Sequence, residues 1–314
     1  MNMSAPTQFI GQGLRGELRH DVAMSRHTSW RAGGVAQRMY RPADLADLQL
    51  FLRLLPEDEL LVAIGLGSNL LVRDGGLRGT VLLMHGALNE MHMDGDHVYA
   101  QAGVPGAKLA RFAAANDLHG AGFFAGIPGT LGGMLAMNAG CYGSETWDKV
   151  VRAQVLTRNG ELQLRTPQDY QVSYRHASRV RDSECGIEDA VEQEFFAGAW
   201  LRFNQGEGDV AKQDIKALLE KRSASQPLHL PNAGSVFRNP QGDHAARLIE
   251  SCGLKGLRIG GAQVSQKHAN FIVNIANASA TDIENLMLQV RATVAEKTGV
   301  QLQPEVKIIG EKLA

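Results

Sequence analysis

Three short clusters in this 314-residue chain combine residue types that chemistry uses. Gly65-Leu66-Gly67-Ser68-Asn69 sits between two apolar stretches. Its two glycines with Ser68 and Asn69 allow a tight turn whose N–H groups converge, suiting either a hairpin turn or a nest for a phosphate. Gly126-Ile127-Pro128-Gly129-Thr130-Leu131-Gly132-Gly133 leads on to Met137-Asn138-Ala139-Gly140. Five glycines in 15 positions leave few side chains for a core, yet Ile127, Leu131, Met134, Leu135 and Met137 are interleaved among them. That mixture describes a buried, ordered loop whose backbone approaches a pyrophosphate or a ring system, rather than a mobile surface loop. The third cluster, Asn232 to Pro240 (NAGSVFRNP), carries Ser235 at its centre. Gly-Ser-Val-Phe is not G-x-S-x-G, and no His–Asp pair can be assigned to it. Ser235 is therefore either a turn residue or a proton donor held against a substrate carbon.

The elements that must position these clusters follow from periodicity. Residues 42–55 form an amphipathic helix stopped by Pro56. Leu60 to Ile64 and Leu70 to Val72 flank the first glycine loop as strands. Residues 79–85, 97–103, 150–157 and 194–203 read as strands, with 161–165 a weaker candidate. Residues 107–116 read as a helix, and Gly120 to Gly143 as loop. Residues 209–222 form a helix that Asp209 can cap, with Lys221 and Arg222 at its negative end. Residues 243–251 make a short helix before Gly253. Residues 282–298 place Ile283, Leu286, Met287, Val290 and Val294 on one face, with Ser279 or Thr281 to cap it and Gly299 to end it. Asn270 to Ile275 and Glu305 to Ile309 complete the strands. Helices and strands mix without a strict alternation, which gives an α+β class. Gly11-Gln12-Gly13-Leu14-Arg15-Gly16 matches G-x-G-x-x-G, but no strand precedes it and no acidic residue follows at the required distance, so it reads as a flexible arm.

Composition narrows the function classes. Apolar residues make up 44% and charged residues 21%, with glycine high at 35 residues. Lys plus Arg number 32 against 33 acidic residues, so no basic excess points to nucleic acid or an anionic membrane as partner. No apolar run reaches membrane-spanning length. The N-terminus shows no charged segment followed by an apolar one, and Cys141, Cys185 and Cys252 are sparse with no metal-ligand spacing. Both features point to a cytoplasmic protein with free thiols.

At these clusters the chain resembles the UDP-N-acetylenolpyruvoylglucosamine reductase family, flavoenzymes that complete UDP-N-acetylmuramate in peptidoglycan synthesis. The resemblance begins at HTSWRAGG (27–34). It runs through GLGSNLLVRDGG (65–76), GIPGTLGGMLAMNAGCYG (126–143), Ser173-Tyr174-Arg175, NAGSVFRNP (232–240) and GLKGLRIGGAQVSQKHANFIVN (253–274), and ends at Gln303-Pro304-Glu305-Val306. It implies a vanillyl-alcohol-oxidase (PCMH)-type FAD-binding fold in two parts, residues 1–78 and 79–205. A third α+β substrate-binding domain follows at 206–314, with a C-terminal tail that can return to the first part. The short stretch from Phe203 to Pro240 leaves no room for an inserted βαββ unit, as in the shorter, type II form. Residues 176–190 fit the family less well and read as a local surface excursion.

The resemblance implies dissociable FAD, held by Gly65, Gly67, Ser68 and Asn69 and by Gly126, Ile127, Pro128, Gly129, Thr130, Gly132, Gly133, Asn138 and Gly140. NADPH is the implied hydride donor and a nucleotide sugar the implied substrate, with no metal. Hydride reaches the terminal vinyl carbon of an enolpyruvyl ether, charge spreads onto the adjacent carboxylate, and a proton reaches the other vinyl carbon. Arg175 is implied to hold that carboxylate through a fork of donors, Ser235 to give the proton, and Glu305 to bond the carboxylate when protonated or to orient a water or Arg175. Lys221, Arg222, Asn232 and Arg238 are weaker candidates for the substrate diphosphate. His268 and Asn270 either line the substrate site or organise a turn, and His27 is structural. The rival readings are a flavin oxidase of the same fold and a non-catalytic flavin-binding module.

Overall fold

The computed structural model describes residues 13–180 and 194–313. Cys185, most of the expected surface excursion and Gly11 of the first glycine motif lie outside the described residues. Two strands open the chain, β1 (Glu17–Ala23) and β2 (Val35–Arg41), followed by helix α1 (Leu45–Leu54). Next come β3 (Leu61–Ile64), β4 (Leu70–Val72) and β5 (Leu77–Leu83). The first sheet has the order β1-β2-β5-β3, with β5 parallel to both neighbours. Asp44 caps α1 by accepting from the Asp47 N–H at 2.9 Å. Leu48, Phe51 and Leu52 turn one face of the helix into the core, where Phe51 stacks on Tyr40 of β2. Because β5 begins at Leu77 and is paired on both sides, the first sheet runs on to Leu83. The expected boundary after residue 78 thus falls inside a strand.

The second sheet is antiparallel. It contains β6 (Met91–Asp94), β7 (His97–Gln101), and the strands Val150–Leu156, Leu162–Arg165 and Phe195–Arg202. Helix α2 (Gly106–Ala115) packs beside it. The glycine stretch expected as loop contains a short helix, α3 (Leu131–Ala136). Its apolar residues Leu131, Met134 and Leu135 are fully buried, and that burial outweighs the poor helix propensity of Gly132 and Gly133. Tyr170–Ser173 and His176–Arg179 form a two-stranded hairpin that the sequence did not announce.

Between Phe203 and Asn232 the described chain holds a two-residue strand, helix α4 (Gly208–Ser225) and a loop, with no inserted βαββ unit. Asp209 does not cap α4. Glu207 occupies the cap position without a side-chain bond, and the distant Asp117 accepts from the Gly208 N–H at 3.1 Å instead. Helices α5 (Ala245–Ser251) and α6 (Ala280–Thr298) then cover a three-stranded antiparallel sheet. Ser279 and Asp282 form a capping box on α6, and Gly299, at φ +74°, ends it in the left-handed region that favours glycine.

The chain then returns to the start of the molecule. Lys307–Ile309 pairs in parallel with β4. Trp30, fully buried, packs within the core of the C-terminal part, and its Nε1 donates to the Ile272 carbonyl at 2.7 Å. Residues 13–16, expected as a flexible arm, are held in place: the Arg15 N–H donates to Asp47 at 2.7 Å. Among the described residues no helix is long and apolar enough to cross a membrane.

Candidate active site

The two glycine loops meet. A side-chain carbon on Gly65 would stand 2.1 Å from the Thr130 hydroxyl, and one on Gly129 would stand 3.4 Å from the Ser68 hydroxyl. Gly67 adopts φ +59° under the His27 carbonyl, a place where no side chain fits. Beside this junction lies a cavity of about 700 Å³, lined by Gly65, Thr130, Gly132 and Gly133 on one side and by Tyr170, Ser178 and Arg179 of the hairpin on the other. Its size is within the range of sites that enclose small molecules and cofactors. Gly133 is open to it, with nothing within 4 Å of where a side chain would start. Such a backbone-walled, largely apolar cleft fits a dinucleotide.

A smaller cavity of about 240 Å³ joins the glycine loops to the serine loop. Ser68 and Pro128 contribute from the former, Asn232 and Gly234 from the latter, and Arg222 from the end of α4. The serine loop is built by an Asx turn: Asn232 Oδ1 accepts from the Gly234 N–H at 3.0 Å, and Gly234 takes φ +75°. Asn232 is thereby occupied within its own loop. Asn270 clamps the following residues, accepting from the Phe237 N–H at 3.0 Å and donating to its carbonyl at 2.8 Å. Asn270 is thus an organiser of the serine loop. The segment Val236–Arg238 runs antiparallel beside Gln303–Glu305, with Glu305 N–H to Val236 carbonyl at 2.8 Å and Arg238 N–H to Gln303 carbonyl at 2.9 Å. Ser235 therefore directly precedes Val236, the residue bonded to the Glu305 backbone.

The hairpin supplies the cation. Tyr174 and Arg175 are its two loop residues, and Arg175 sits at φ +55°, uncommon for a residue with a side chain. Arg175 Nε donates to Glu305 Oε1 at 2.6 Å, and Arg175 Nη2 donates to the Gly140 carbonyl at 2.9 Å. Both side chains are mostly buried, with 19% and 13% exposed. Burial pushes the Glu305 carboxyl above the usual carboxylate range, against the opposing pull of Arg175 and then of Arg238.

Several expected cofactor residues prove to be brackets between these parts. Asn138, fully buried at φ +41°, donates to Glu145 at 2.7 Å and to the Ser173 carbonyl at 3.2 Å, and accepts from the Trp147 N–H. It ties the second glycine loop to the base of the Arg175 hairpin, and both ends of its amide are spent. Asn69 donates to the Glu305 carbonyl at 3.2 Å, and its own carbonyl accepts from Lys307. Gly126 packs on Cys141 and Tyr142, and Ile127 joins the core of the second part. Burial holds the Cys141 thiol protonated, raised to about 11. His268 is largely buried, and burial lowers its pKa. Lys221 lies over the Tyr142 ring.

The wall contributed by Tyr170, Ser178 and Arg179 was not foreseen. Its only signal was the alternation of Tyr170 and Val172 before Ser173-Tyr174-Arg175. Glu194, which pairs with Arg179 at 3.2 Å, directly precedes the strand Phe195–Arg202.

Residues 36–164 match the family model described as FAD binding domain. Residues 226–309 match the model described as UDP-N-acetylenolpyruvoylglucosamine reductase, C-terminal domain. With the glycine-walled cleft, these define a flavin-dependent oxidoreductase that uses FAD. The chain is 54% identical over 313 residues to the UDP-N-acetylenolpyruvoylglucosamine reductase of Thiobacillus denitrificans, covering 95% of this chain and 94% of that one. It is 55% identical over 296 residues to the enzyme of the same name from Alkalilimnicola ehrlichii, covering 94% and 96%. The crystal structure of UDP-N-acetylenolpyruvylglucosamine reductase from Thermus caldophilus superposes with a TM-score of 0.77 at 27% identity, over 94% of this chain and 99% of that one. This chain belongs to the UDP-N-acetylenolpyruvoylglucosamine reductase family.

Proposed function

We propose that this protein reduces the enolpyruvyl group of UDP-N-acetylglucosamine enolpyruvate to give UDP-N-acetylmuramate, with NADPH as hydride donor, in the cytoplasmic phase of peptidoglycan synthesis. The observation that supports it most is the convergence of Arg175, Glu305 and the Ser235 loop, drawn from three distant segments, with Arg175 and Glu305 bonded to the two glycine loops. Bound FAD supplies hydride transfer between the nicotinamide and the substrate. Gly65, Thr130, Gly132 and Gly133 would hold it along the large cavity, with open space in front of Gly133.

The chain's own residues handle charge and the proton. Adding hydride to the terminal vinyl carbon leaves negative charge on the carbon next to the carboxylate. Arg175 binds that carboxylate and stabilises the charge as it spreads. Ser235 Oγ gives its proton to the carbon that bore the charge. Glu305 begins as the partner of Arg175. A substrate carboxylate takes over the guanidinium and adds a second negative charge beside a carboxyl that burial has already raised. Glu305 then takes up a proton and becomes a donor to the substrate. Arg222, at the smaller cavity, supports the reading of a nucleotide diphosphate held between α4 and the serine loop.

Anaerobic spectra test the proposal. The purified protein carries FAD, NADPH bleaches it, and UDP-N-acetylglucosamine enolpyruvate restores the colour without oxygen. A flavin that NADPH never bleaches supports the non-catalytic module. One that bleaches, ignores the enolpyruvyl nucleotide and reoxidises rapidly in oxygen supports the oxidase.

A further inference from the structure

Arg238 lies three residues beyond Ser235 in the serine loop. Its Nη2 donates to the carbonyl of Arg175 at 3.2 Å, across 63 residues of sequence. Its own backbone N–H is fixed to the Gln303 carbonyl, two residues before Glu305. Through its backbone and its side chain together, Arg238 therefore joins all three segments of the site. Its Nε–H is buried and has no hydrogen-bond partner among the described residues. A buried N–H without an acceptor is destabilising, so stability alone does not account for a guanidinium here.

What Arg238 grips is an unusual backbone. Arg175 is held at φ +55°, which is unfavourable for a residue with a side chain and needs its surroundings to enforce it. Asn138 fixes the base of the hairpin through the Ser173 carbonyl, and Arg238 fixes its tip through the Arg175 carbonyl. Without the second hold, the Arg175 guanidinium keeps its charge but not its aim.

We infer that Arg238 is a positioning residue for the substrate step, holding the Arg175 turn in register with Ser235 and Glu305 rather than gripping the substrate diphosphate. This rests on the proposed reductase reading. A second consequence follows from charge. The charged groups acting on the Glu305 carboxyl are Arg175, from the hairpin tip, and Arg238, from the serine loop, and both favour its ionised form. Removing the Arg238 charge therefore moves the Glu305 titration to higher pH, whichever protonation state the reaction uses.

The test compares FAD-loaded wild type, Arg238→Met and Arg238→Lys in anaerobic stopped flow, following flavin reoxidation by the enolpyruvyl nucleotide. Flavin content and melting temperature verify folding. In Arg238→Met the limiting rate falls by about tenfold or more while the apparent Kd for substrate stays near wild type, because a misaimed guanidinium costs rate rather than binding. The pH limb that depends on Glu305 moves upward. Arg238→Lys returns that limb to its wild-type position but recovers only part of the rate, since an ammonium lacks the planar fork. An unchanged limiting rate with an unchanged pH limb in Arg238→Met overturns the inference. A weakened Kd with the limiting rate retained overturns it in favour of a diphosphate contact. If Arg238→Met does not fold, a full wild-type rate in Arg238→Lys overturns it. A wild-type protein that is never reoxidised by the nucleotide sinks the reductase reading itself, before any variant is compared.

Discussion

Arg175 and Glu305 stand 130 residues apart in sequence, and their side chains meet with Nε 2.6 Å from Oε1. Each arrives on a different kind of element. Arg175 rides the strained tip of a two-residue hairpin loop, and Glu305 precedes the strand that returns to β4. The pair is closed from both sides, by the Gly140 carbonyl beneath Arg175 and by Asn69 on the Glu305 backbone. Both brackets come from the glycine loops that border the cofactor cleft, so flavin site and carboxylate site share one scaffold.

The pair makes Glu305 pH-sensitive in a defined sense. Burial raises its carboxyl, and a substrate carboxylate that captures Arg175 raises it further. As a proton-bearing donor it is lost when pH climbs through that raised value, so the rate of the substrate step falls on the alkaline side. In Glu305→Gln this limb disappears, because an amide donates at every pH. Glu305→Asp is the more severe variant, being too short to reach. Stopped-flow rates across pH check this, together with proton uptake on substrate binding in weakly buffered indicator solution. An alkaline limb unaltered in Glu305→Gln would leave Glu305 as an ionised partner of Arg175 only.

Ser235 separates the two halves of the cycle. Ser235→Ala leaves flavin reduction by NADPH near normal, since no proton goes to a vinyl carbon there. Reoxidation by the enolpyruvyl nucleotide slows by about 10²–10⁴-fold, the usual loss for a positioned general acid. Ser235→Cys keeps part of the rate because a thiol still carries a proton. Normal reoxidation in Ser235→Ala would return Ser235 to the role of a turn residue.

Much of this architecture was legible before the structure. Ile283, Leu286, Met287, Val290 and Val294 announced α6 by spacing alone, and all are buried. Glycine density flagged the region of the cleft, where Gly132 and Gly133 line the cavity while Gly126 and Gly140 answer to tight packing instead. The hairpin at 170–179 escaped notice because its strands are four residues each and only half buried, so alternation is weak. Helix α3 was hidden by its own glycines, whose poor propensity is overridden by packing. Asn138 and Asn69 look alike as polar residues in glycine loops. Only the fold shows that Asn138 divides its amide among Glu145, Trp147 and the base of the hairpin, and that Asn69 braces the Glu305 backbone. Spacing along the chain carries no information about contacts across 130 residues.

The glycines divide into two kinds with opposite expected outcomes. Gly133 has nothing within 4 Å of its missing side chain and lines the large cavity. Gly133→Ala leaves the melting temperature of the flavin-free protein unchanged or higher, since alanine favours a helix by up to about 1 kcal/mol. Gly133→Phe also folds but loses flavin, read from the ratio of visible to ultraviolet absorbance. Gly67→Ala meets the His27 carbonyl at 2.0 Å and a left-handed backbone at once, so it lowers stability with or without flavin. Full flavin occupancy in Gly133→Phe would contradict the placement of the cofactor in this cavity.

The end of the stretch GLGSNLLVRDGG (65–76) has a structural use that the cofactor does not share. Asp74 accepts from the Ala280 N–H at 2.9 Å, the Thr281 N–H at 2.8 Å and the Thr281 hydroxyl at 2.6 Å, capping α6 from across the molecule. Beside it, Arg73 grips Glu284 on the same helix at 2.9 Å. Burial pushes the Asp74 carboxyl up, but the Thr281 hydroxyl and the two backbone donors outweigh it and hold it below the usual range. Its ionised form is therefore favoured by folding. The stability it contributes is present above the ordinary carboxylate pKa of about 4 and is lost as pH falls through the depressed folded value. Asp74→Ala removes a cap worth about 1 kcal/mol at neutral pH. Asp74→Asn keeps one acceptor and loses less. The difference in melting temperature between wild type and Asp74→Ala is largest at neutral pH and closes as the solution is taken well below pH ~4. A difference that stays constant across that range would show that Asp74 acts by shape alone and that its charge contributes nothing to docking α6 on the glycine motif.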